Sequence, residues 1–173
     1  MRKAVALALS TLLAATPAAA SCYQEAAATY APHNADLLRA IEQVESGGNP
    51  VAVARNQNGS EDICSMQINS QHMPFLKQFG ITRSALLADH CLCVKVGAFF
   101  LATEVSIAGW TWKAVGQYNT GPGGSASRKE SYARKVFDTY QRIVAASGTS
   151  APAPSPVKTA GIRQPTVPSR SDQ

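Results

Sequence analysis

Apolar side chains recur at helical spacing in the stretch that follows Asn34, a favourable N-cap residue. The side chains that form this stripe are Leu37, Leu38, Ile41 and Val44. Two glycines and a proline within residues 46–50 end the predicted helix after about three turns. Glu45 lies in the last turn at the border of the stripe, so its carboxyl group is expected to be partly buried. Glu42, one turn earlier, falls off the stripe and is assigned no chemistry.

The pattern beyond this helix predicts a short β segment and then more helices. Residues 51–70 lose the helical period and contain turn-forming Asn, Gly and Ser, which is typical of an irregular segment or a β-hairpin. Further helices are predicted over about residues 71–79, from about residue 84, and over residues 91–108, 112–119 and 132–146. The chain therefore reads as an α-dominated domain.

The first residues have the features of a processing signal. Arg2 and Lys3 precede an apolar run of 12 residues, 4–15, and small side chains follow it. Residues 1–20 are therefore predicted to be a secretory signal peptide, cleaved after its last alanine. A membrane-spanning helix is disfavoured, because spanning a bilayer takes about 20 apolar residues. Lipidation of Cys22 is a minor alternative.

The last residues differ in composition from the domain. Residues 147–173 hold five of the ten prolines and lack aromatic side chains, so a disordered tail is predicted there. The folded domain is expected over residues 21–146. The chain carries a net charge of +5, of which the signal peptide and the tail each contribute +2. The domain is thus nearly neutral, which argues against nucleic acid as a partner.

All four cysteines lie in the predicted exported domain, where disulfides form and persist. Side chains two residues apart point away from each other in a helix or strand, so Cys91 is not expected to pair with Cys93. Cys22 then pairs with one of them and Cys64 with the other. A zinc site is disfavoured, because the paired spacing of zinc ligands is absent from the sequence and its histidines are scattered.

Short polar motifs follow Glu45 in a definite order. They are ESGGNP at 45–50, NGS at 58–60, SMQIN at 65–69, QYN at 117–119 and YA at 132–133. In residue type and order they resemble the soluble lytic transglycosylase family, and above all its small exported members of type III and type IV secretion, conjugation and pilus systems. The resemblance covers about residues 22–140. It implies a lysozyme-like fold of the α+β class, mostly α, and cleavage of the MurNAc–GlcNAc β-1,4 bond of peptidoglycan.

By position, Glu45 resembles the family's catalytic acid/base. Partial burial raises the pKa of such a carboxyl group toward neutrality, which suits proton donation. In the family's reaction this group protonates the glycosidic oxygen and then accepts the proton of the sugar's own C6 hydroxyl, which leaves a 1,6-anhydro end. The reaction as read requires no cofactor, and no metal site is implied.

The resemblance also implies a set of substrate-binding residues. They are Ser46, Met66, Gln67, Asn69, Tyr118, Asn119 and Tyr132. Amide and hydroxyl groups suit a neutral sugar polymer, whose hydroxyl and N-acetyl groups need donors and acceptors. Taken without the resemblance, the amides could instead satisfy turn backbone, and the tyrosines, like Trp110 and Trp112, could be core aromatics.

A second resemblance concerns Asp62. The stretch from Glu45 to residue 70 is also similar to animal-type lysozymes, in which a second carboxylate lies in the hairpin, 17 residues after the first, as Asp62 does. If Asp62 faces the cleft, a retaining hydrolase becomes an alternative. Within the transglycosylase interpretation, Asp62 is a hairpin residue hydrogen-bonded to its own backbone. Glu61 is expected to point the other way.

Three positions depart from the family's usual residues. The family usually has Gly, Leu and Ala where this chain has Cys64, Ser65 and Gln117. Because the first two changes alter a motif of the cleft, a non-catalytic wall-binding module is a third interpretation. The resemblance favours pairing Cys22 with Cys91 and Cys64 with the additional Cys93. It implies a periplasmic protein, with outer-membrane association as an alternative, whose partners are peptidoglycan strands and secretion, conjugation or pilus components. The tail is interpreted as a tether.

Overall fold

The computed structural model describes residues 18–31, 34–148 and 153–155. Its helices are α1 (Ala18–Thr29), α2 (Ala35–Ser46), α3 (Met73–Lys77), α4 (Arg83–Ala88), α5 (His90–Ala108), α6 (Trp112–Thr120) and α7 (Ala126–Ser147). Its strands are β1 (Val53–Arg55), β2 (Glu61–Ile63) and β3 (Ile68–Asn69), and a 3-10 helix covers Ser70–His72. The prediction of an α-dominated domain with a short β segment is confirmed.

Helix α2 has the boundaries that the sequence predicts. The Asn34 side chain accepts a hydrogen bond of 2.9 Å from the Leu37 N–H at the start of the helix. Gly47, with φ 66°, ends it in the left-handed conformation that glycine adopts without strain. The amide of Asn34 also donates to the Tyr140 hydroxyl at 3.3 Å. This bond attaches the start of α2 to α7.

The three strands form an antiparallel sheet in the order β1-β2-β3. Ala54 pairs with Asp62 across the first two strands, and Asp62 pairs with Asn69 across the next two. The turn between β1 and β2 is closed by the Asn56 N–H, which donates to the Ser60 carbonyl at 2.8 Å. The register therefore places Asp62 in the middle strand, opposite Ala54 on one side and Asn69 on the other.

Helix α5 is the element to which both disulfides attach. Cys22 is bonded to Cys91 and Cys64 to Cys93, with Cα atoms 5.2 and 6.3 Å apart, the pairing that the resemblance favours. Over the described residues, α5 is the one helix long and apolar enough to cross a membrane, with a mean hydropathy of 1.7. Its buried side chains, among them Val94 and Leu101, belong to the core, and core helices of soluble proteins also meet that criterion.

Three helical segments differ from the prediction. Helix α7 begins at Ala126, six residues early, because Ser125 caps it by accepting from the Arg128 N–H at 3.4 Å. The helix predicted over residues 71–79 is a 3-10 turn followed by the five residues of α3. Helix α1 was not predicted. It includes residues 18–20 of the predicted signal peptide, whose other residues lie outside those described.

Ser155, a residue of the predicted tail, contacts the domain. The Ser155 N–H donates to the Trp110 carbonyl at 2.9 Å, and the Trp112 N–H donates to the Ser155 carbonyl at 3.3 Å. Pro154 beside them is buried. Trp110 and Trp112 themselves pack against the core, as the sequence interpretation has them. Residues 149–152 and 156–173 of the predicted tail lie outside the described residues.

Candidate active site

Glu45 lies at the junction of two depressions on the surface. It is the second-last residue of α2, so the helix end presents its carboxyl group toward solvent. The larger depression has a volume of about 950 Å³ and the smaller one about 330 Å³. Glu45, Asn119 and Arg128 border both. The carboxyl group can therefore contact a polymer that extends to either side of it.

The pKa of Glu45 is raised to about 7. The largest cause is burial, which disfavours the charged form, and the negative charge of Asp62 raises the pKa further. The hydrogen bond from Tyr132 acts in the opposite direction because it stabilises the carboxylate. A carboxyl group with this pKa exchanges a proton readily at neutral pH, as the position of Glu45 on the apolar stripe predicts.

Two tyrosines from different helices support this region. The Tyr132 hydroxyl on α7 donates to Oε1 of Glu45 at 2.5 Å. The Tyr118 hydroxyl on α6 donates to the Met66 carbonyl at 2.9 Å. Burial, with the charge of Glu45 as the next cause, raises the pKa of both phenols well above the ordinary value, so both remain protonated donors. Tyr132 borders the smaller depression and Tyr118 the larger one.

Asp62 faces the larger depression from the middle strand. Its carboxylate accepts hydrogen bonds from the side-chain amides of Asn56 at 2.9 Å and Asn69 at 2.7 Å. Its partners are therefore neighbouring side chains, and the expected bond to its own backbone is not the observed arrangement. Glu61 points away from the cleft, as expected, and pairs with Arg83 at 2.9 Å.

A tight turn between β2 and β3 forms part of the cleft wall. Cys64 and Gln67 both adopt left-handed backbone conformations, with φ of 60° and 51°, which cost energy for residues other than glycine. The turn is held by the Gln67 N–H, which donates to the Cys64 carbonyl at 3.1 Å, and by the disulfide to Cys93. Position 64 thus has a backbone geometry that glycine, the residue expected there from the family resemblance, adopts without strain.

The structure brings most of the predicted binding residues together. Those that line the larger depression are Gln67, Asn69, Tyr118 and Asn119. The amides of the first two also serve the fold, since Gln67 donates to the Cys64 carbonyl at 2.9 Å and Asn69 Oδ1 accepts from the Gln71 N–H at 2.9 Å. The structural interpretation of these two amides therefore applies, and their position on the cleft wall is compatible with the predicted binding role.

Two predicted contacts need correction. The Met66 side chain is fully buried and packs against Gly97, so it belongs to the core, and only its carbonyl serves the site, through Tyr118. Ser46 lines neither depression, and its hydroxyl donates to the Glu42 carbonyl one turn earlier, at 3.4 Å. The motif positions are right in both cases, but the side chains point away from the cleft.

Glu42 is also corrected. It is buried rather than solvated, and its carboxylate accepts a hydrogen bond from the Tyr23 hydroxyl. Its Oε1 lies 2.6 Å from Nε2 of His90. Tyr23 and His90 each adjoin a cysteine of the Cys22–Cys91 disulfide, so this bond and the hydrogen bonds attach α1 and α5 to α2. The flank of α2 that carries Glu42 is thus covered by chain segments that a helical pattern cannot reveal.

The cleft is also lined by residues that the sequence did not single out as binding groups. Among them are His72, Phe100, Glu104 and Gln117. The ring of His72 lies 4.3 Å from that of Phe100, and burial lowers the pKa of this histidine. Phe100 and Glu104 are four residues apart in α5, so their common face was a usable signal. Nothing in the sequence pattern around His72 indicates its position.

A mostly helical fold with a small sheet beside a polar cleft, and a proton-donating carboxyl group at its centre, is the arrangement of lysozyme-like glycan-cleaving enzymes. Comparison with known proteins supports this class. The sequence model of the transglycosylase SLT domain matches residues 21–141. In structure the chain is similar to an inactive mutant of the lytic transglycosylase Slt from Pseudomonas aeruginosa, with a TM-score of 0.61 over 80% of this chain and 25% of that one. At 18% identity this likeness shows the fold alone.

Two curated relatives are similar over most of their length. The invasion protein IagB of Salmonella typhimurium is 42% identical over 134 residues, which is 76% of this chain and 82% of the relative. Protein IpgF of Shigella sonnei is 36% identical over 129 residues, or 74% of this chain and 84% of the relative. The chain belongs to the transglycosylase SLT family and is a peptidoglycan-cleaving lytic transglycosylase. Its substrate places its work outside the cytoplasm, in the periplasm.

Proposed function

We propose that the protein cleaves the MurNAc–GlcNAc β-1,4 bond with Glu45 as the only proton-transferring residue, and that it releases 1,6-anhydro ends. The observation that carries the proposal is the position of Glu45 between two depressions, with a pKa of about 7. A glycan strand lying across both depressions has its scissile bond beside this carboxyl group. The residues that border the larger depression supply amides and hydroxyls for its sugars.

The chemistry needs one carboxyl group acting twice. Protonated Glu45 donates its proton to the glycosidic oxygen as the bond from that oxygen to C1 breaks, and positive charge develops on the sugar ring. The Glu45 carboxylate then accepts the proton of the C6 hydroxyl while O6 bonds to C1. Glu45 ends protonated, as it began, and no water is consumed. The Tyr132 hydrogen bond stabilises Glu45 in its charged form between the two steps.

Asp62 supports a second candidate function, a lysozyme-type hydrolase. Its carboxylate lies in the same cleft, and its charge is a cause of the raised pKa of Glu45. In the proposed reaction this charge stabilises the positive sugar ring without bonding to it. In the hydrolase it would bond to C1 and water would complete the reaction. The amides of Asn56 and Asn69 occupy hydrogen-bonding positions on both of its oxygens, which favours the first role.

Digestion of purified sacculi in heavy-oxygen water separates the two functions. A transglycosylase leaves products without the solvent's oxygen, because O6 of the sugar attacks C1. A hydrolase incorporates one heavy oxygen at each new reducing end. Products without label support the proposal and labelled ends establish the hydrolase. Binding to sacculi without any turnover would instead support the non-catalytic wall-binding interpretation.

We further propose that the enzyme opens the wall locally for an envelope-spanning machine. The name of the Salmonella relative, an invasion protein, supports such a role. The predicted signal peptide would export the chain, and the tail would tether it to the machine. A strain that carries only the Glu45→Gln protein should assemble few such machines although its export is normal. Assembly at the normal level would contradict this role and leave the proposed reaction intact.

A further inference from the structure

Two side-chain oxygens are buried without a hydrogen-bond partner in the described part of the chain. They are Oε2 of Glu104 and Oε1 of Gln117. Buried polar atoms almost always have partners, because leaving one unpaired costs the desolvation energy of that atom. Both residues line the larger depression. Two unpaired acceptors in the wall of one cleft indicate a ligand that brings hydrogen-bond donors.

The two acceptors come from different helices. Glu104 lies on α5 and Gln117 on α6, and Gln117 is only 2% exposed. Phe100, one turn before Glu104, faces the same cleft and adds an apolar ring to the wall. An apolar surface beside fixed polar groups is the usual composition of a sugar-binding pocket. The wall therefore has the composition of a binding site for one saccharide unit.

The charge near Glu104 indicates which kind of donor fits. Burial raises the pKa of Glu104, and the positive charge of Lys129 opposes this effect. The Lys129 ammonium group is held nearby, where it donates to the Pro122 carbonyl at 2.5 Å. Because a cation already acts on Glu104, a second cation from the ligand gains little there. A neutral donor, such as a hydroxyl or an acetamido N–H, suits the site better.

We propose that Glu104 and Gln117 form a sugar subsite in which their free oxygens accept hydrogen bonds from neutral donors on one saccharide of the glycan strand. This inference rests on the proposed function, since it assumes that the cleft binds peptidoglycan. Glu104 and Gln117 bind the sugar and take no part in the proton transfers at Glu45.

The test measures binding in a Glu45→Gln background, so that cleavage does not interfere. The probes are peptide-free MurNAc–GlcNAc oligosaccharides, the same oligosaccharides with their stem peptides, and the stem peptide alone. Glu104→Leu and Gln117→Leu should each weaken the binding of both oligosaccharide probes about two- to tenfold. The stem peptide alone should not respond to either change.

Two further variants sharpen the result. Glu104→Gln keeps an acceptor and removes the charge, so it should lose clearly less affinity than Glu104→Leu if the donor is neutral. A loss as large as that of Glu104→Leu would show that the site binds a cation, which contradicts the proposal. Glu130→Gln removes an exposed carboxylate from α7, outside the cleft, and should change nothing.

Stability distinguishes a binding role from a structural one. An unpaired buried acceptor replaced by an apolar side chain should not lower the midpoint of thermal unfolding, so Gln117→Leu should unfold at the same or a higher temperature. A lowered midpoint with unchanged oligosaccharide affinity would mean that ordered water or protein satisfies these oxygens, which overturns the proposal. If Glu45→Gln still cleaves the strand, the proposed function fails. The subsite can then still be tested, because the affinities of the peptide-free oligosaccharides can be measured before they are cleaved.

Discussion

The Tyr132 hydroxyl on α7 donates a 2.5 Å hydrogen bond to Oε1 of Glu45, a residue 87 positions earlier on α2. This bond stabilises the carboxylate, whereas burial of the same group stabilises the neutral acid. Burial has the larger effect, so the pKa remains raised, at about 7. Because of this balance, Glu45 can donate a proton at neutral pH. The carboxylate that remains is stabilised by Tyr132.

Replacing this tyrosine should move the pH dependence of activity upward. Tyr132→Phe removes the bond that lowers the pKa of Glu45, so Glu45 remains protonated to a higher pH. The alkaline limb of kcat/KM, which reports loss of the acid in the free enzyme, should shift up by about one pH unit. Tyr140→Phe removes another buried hydroxyl, one that contacts Asn34, and should leave the limb in place. Equal profiles for the two variants would contradict the assigned role.

Neutralising Asp62 should shift the pH dependence of activity in the opposite direction. Its negative charge raises the pKa of Glu45, so Asp62→Asn should move the alkaline limb down by about half a pH unit. The rate should fall as well, since the charge that stabilises the sugar ring is lost, and the products should keep their anhydro ends. Glu61→Gln removes a neighbouring charge that faces Arg83 and should have neither effect. An upward shift with Asp62→Asn would refute the electrostatic account.

The left-handed conformation of Cys64 predicts a rank order of stability. In a Cys93→Ala background, Cys64→Gly and Cys64→Ala both lose the disulfide, which closes a separation of 29 residues and contributes about 3–4 kcal/mol. At φ 60° alanine is strained and glycine is not, so the glycine variant should be the more stable by about 1 kcal/mol. Denaturant unfolding measures both differences. The reverse order would mean that the turn relaxes once the disulfide is absent.

Glu42 and Glu45 lie one turn apart but should respond differently to substitution. Glu42→Leu leaves the Tyr23 hydroxyl and the His90 ring without their buried acceptor and should lower the free energy of unfolding by about 1–3 kcal/mol. The folded fraction should retain most of its kcat. Glu25→Leu removes an exposed carboxylate that pairs with Lys95 and should cost less than about 1 kcal/mol. Equal losses for the two variants would mean that the hydrogen bonds of Glu42 stabilise the fold no more than an exposed ion pair does.

Much of the fold could be predicted because local signals decide it. Asn34 and Gly47 fix the ends of α2 through their own backbone and side-chain bonds, and the turn formers before β2 indicate the hairpin. Helix α1 escaped prediction because its Ala-rich stretch has little amphipathic character and adjoins the predicted signal peptide. The contact of Ser155 with Trp110 escaped it too, because two backbone hydrogen bonds leave no mark on composition.

The candidate site was predictable where a residue's role follows from its own motif. Glu45 is such a residue, since its helix position indicates partial burial and the motifs around it indicate its role. Glu42 was not, because its burial depends on Tyr23 and His90, which come from distant parts of the chain. Glu104 and Gln117 line the same cleft because α5 packs on α6. This tertiary contact cannot be read from hydrophobic periodicity. Met66 shows the remaining limit, since its motif position is right and its side chain points into the core.

Mass spectrometry of the soluble products from digested sacculi tests the central claim most directly. The unchanged protein should release muropeptides with 1,6-anhydro ends, and Glu45→Gln, which folds with the same shape but has no proton to donate, should release none. Glu130→Gln serves as the matched control and should give the full product yield. Reducing ends in place of anhydro ends, or anhydro products that persist with Glu45→Gln, would contradict the account.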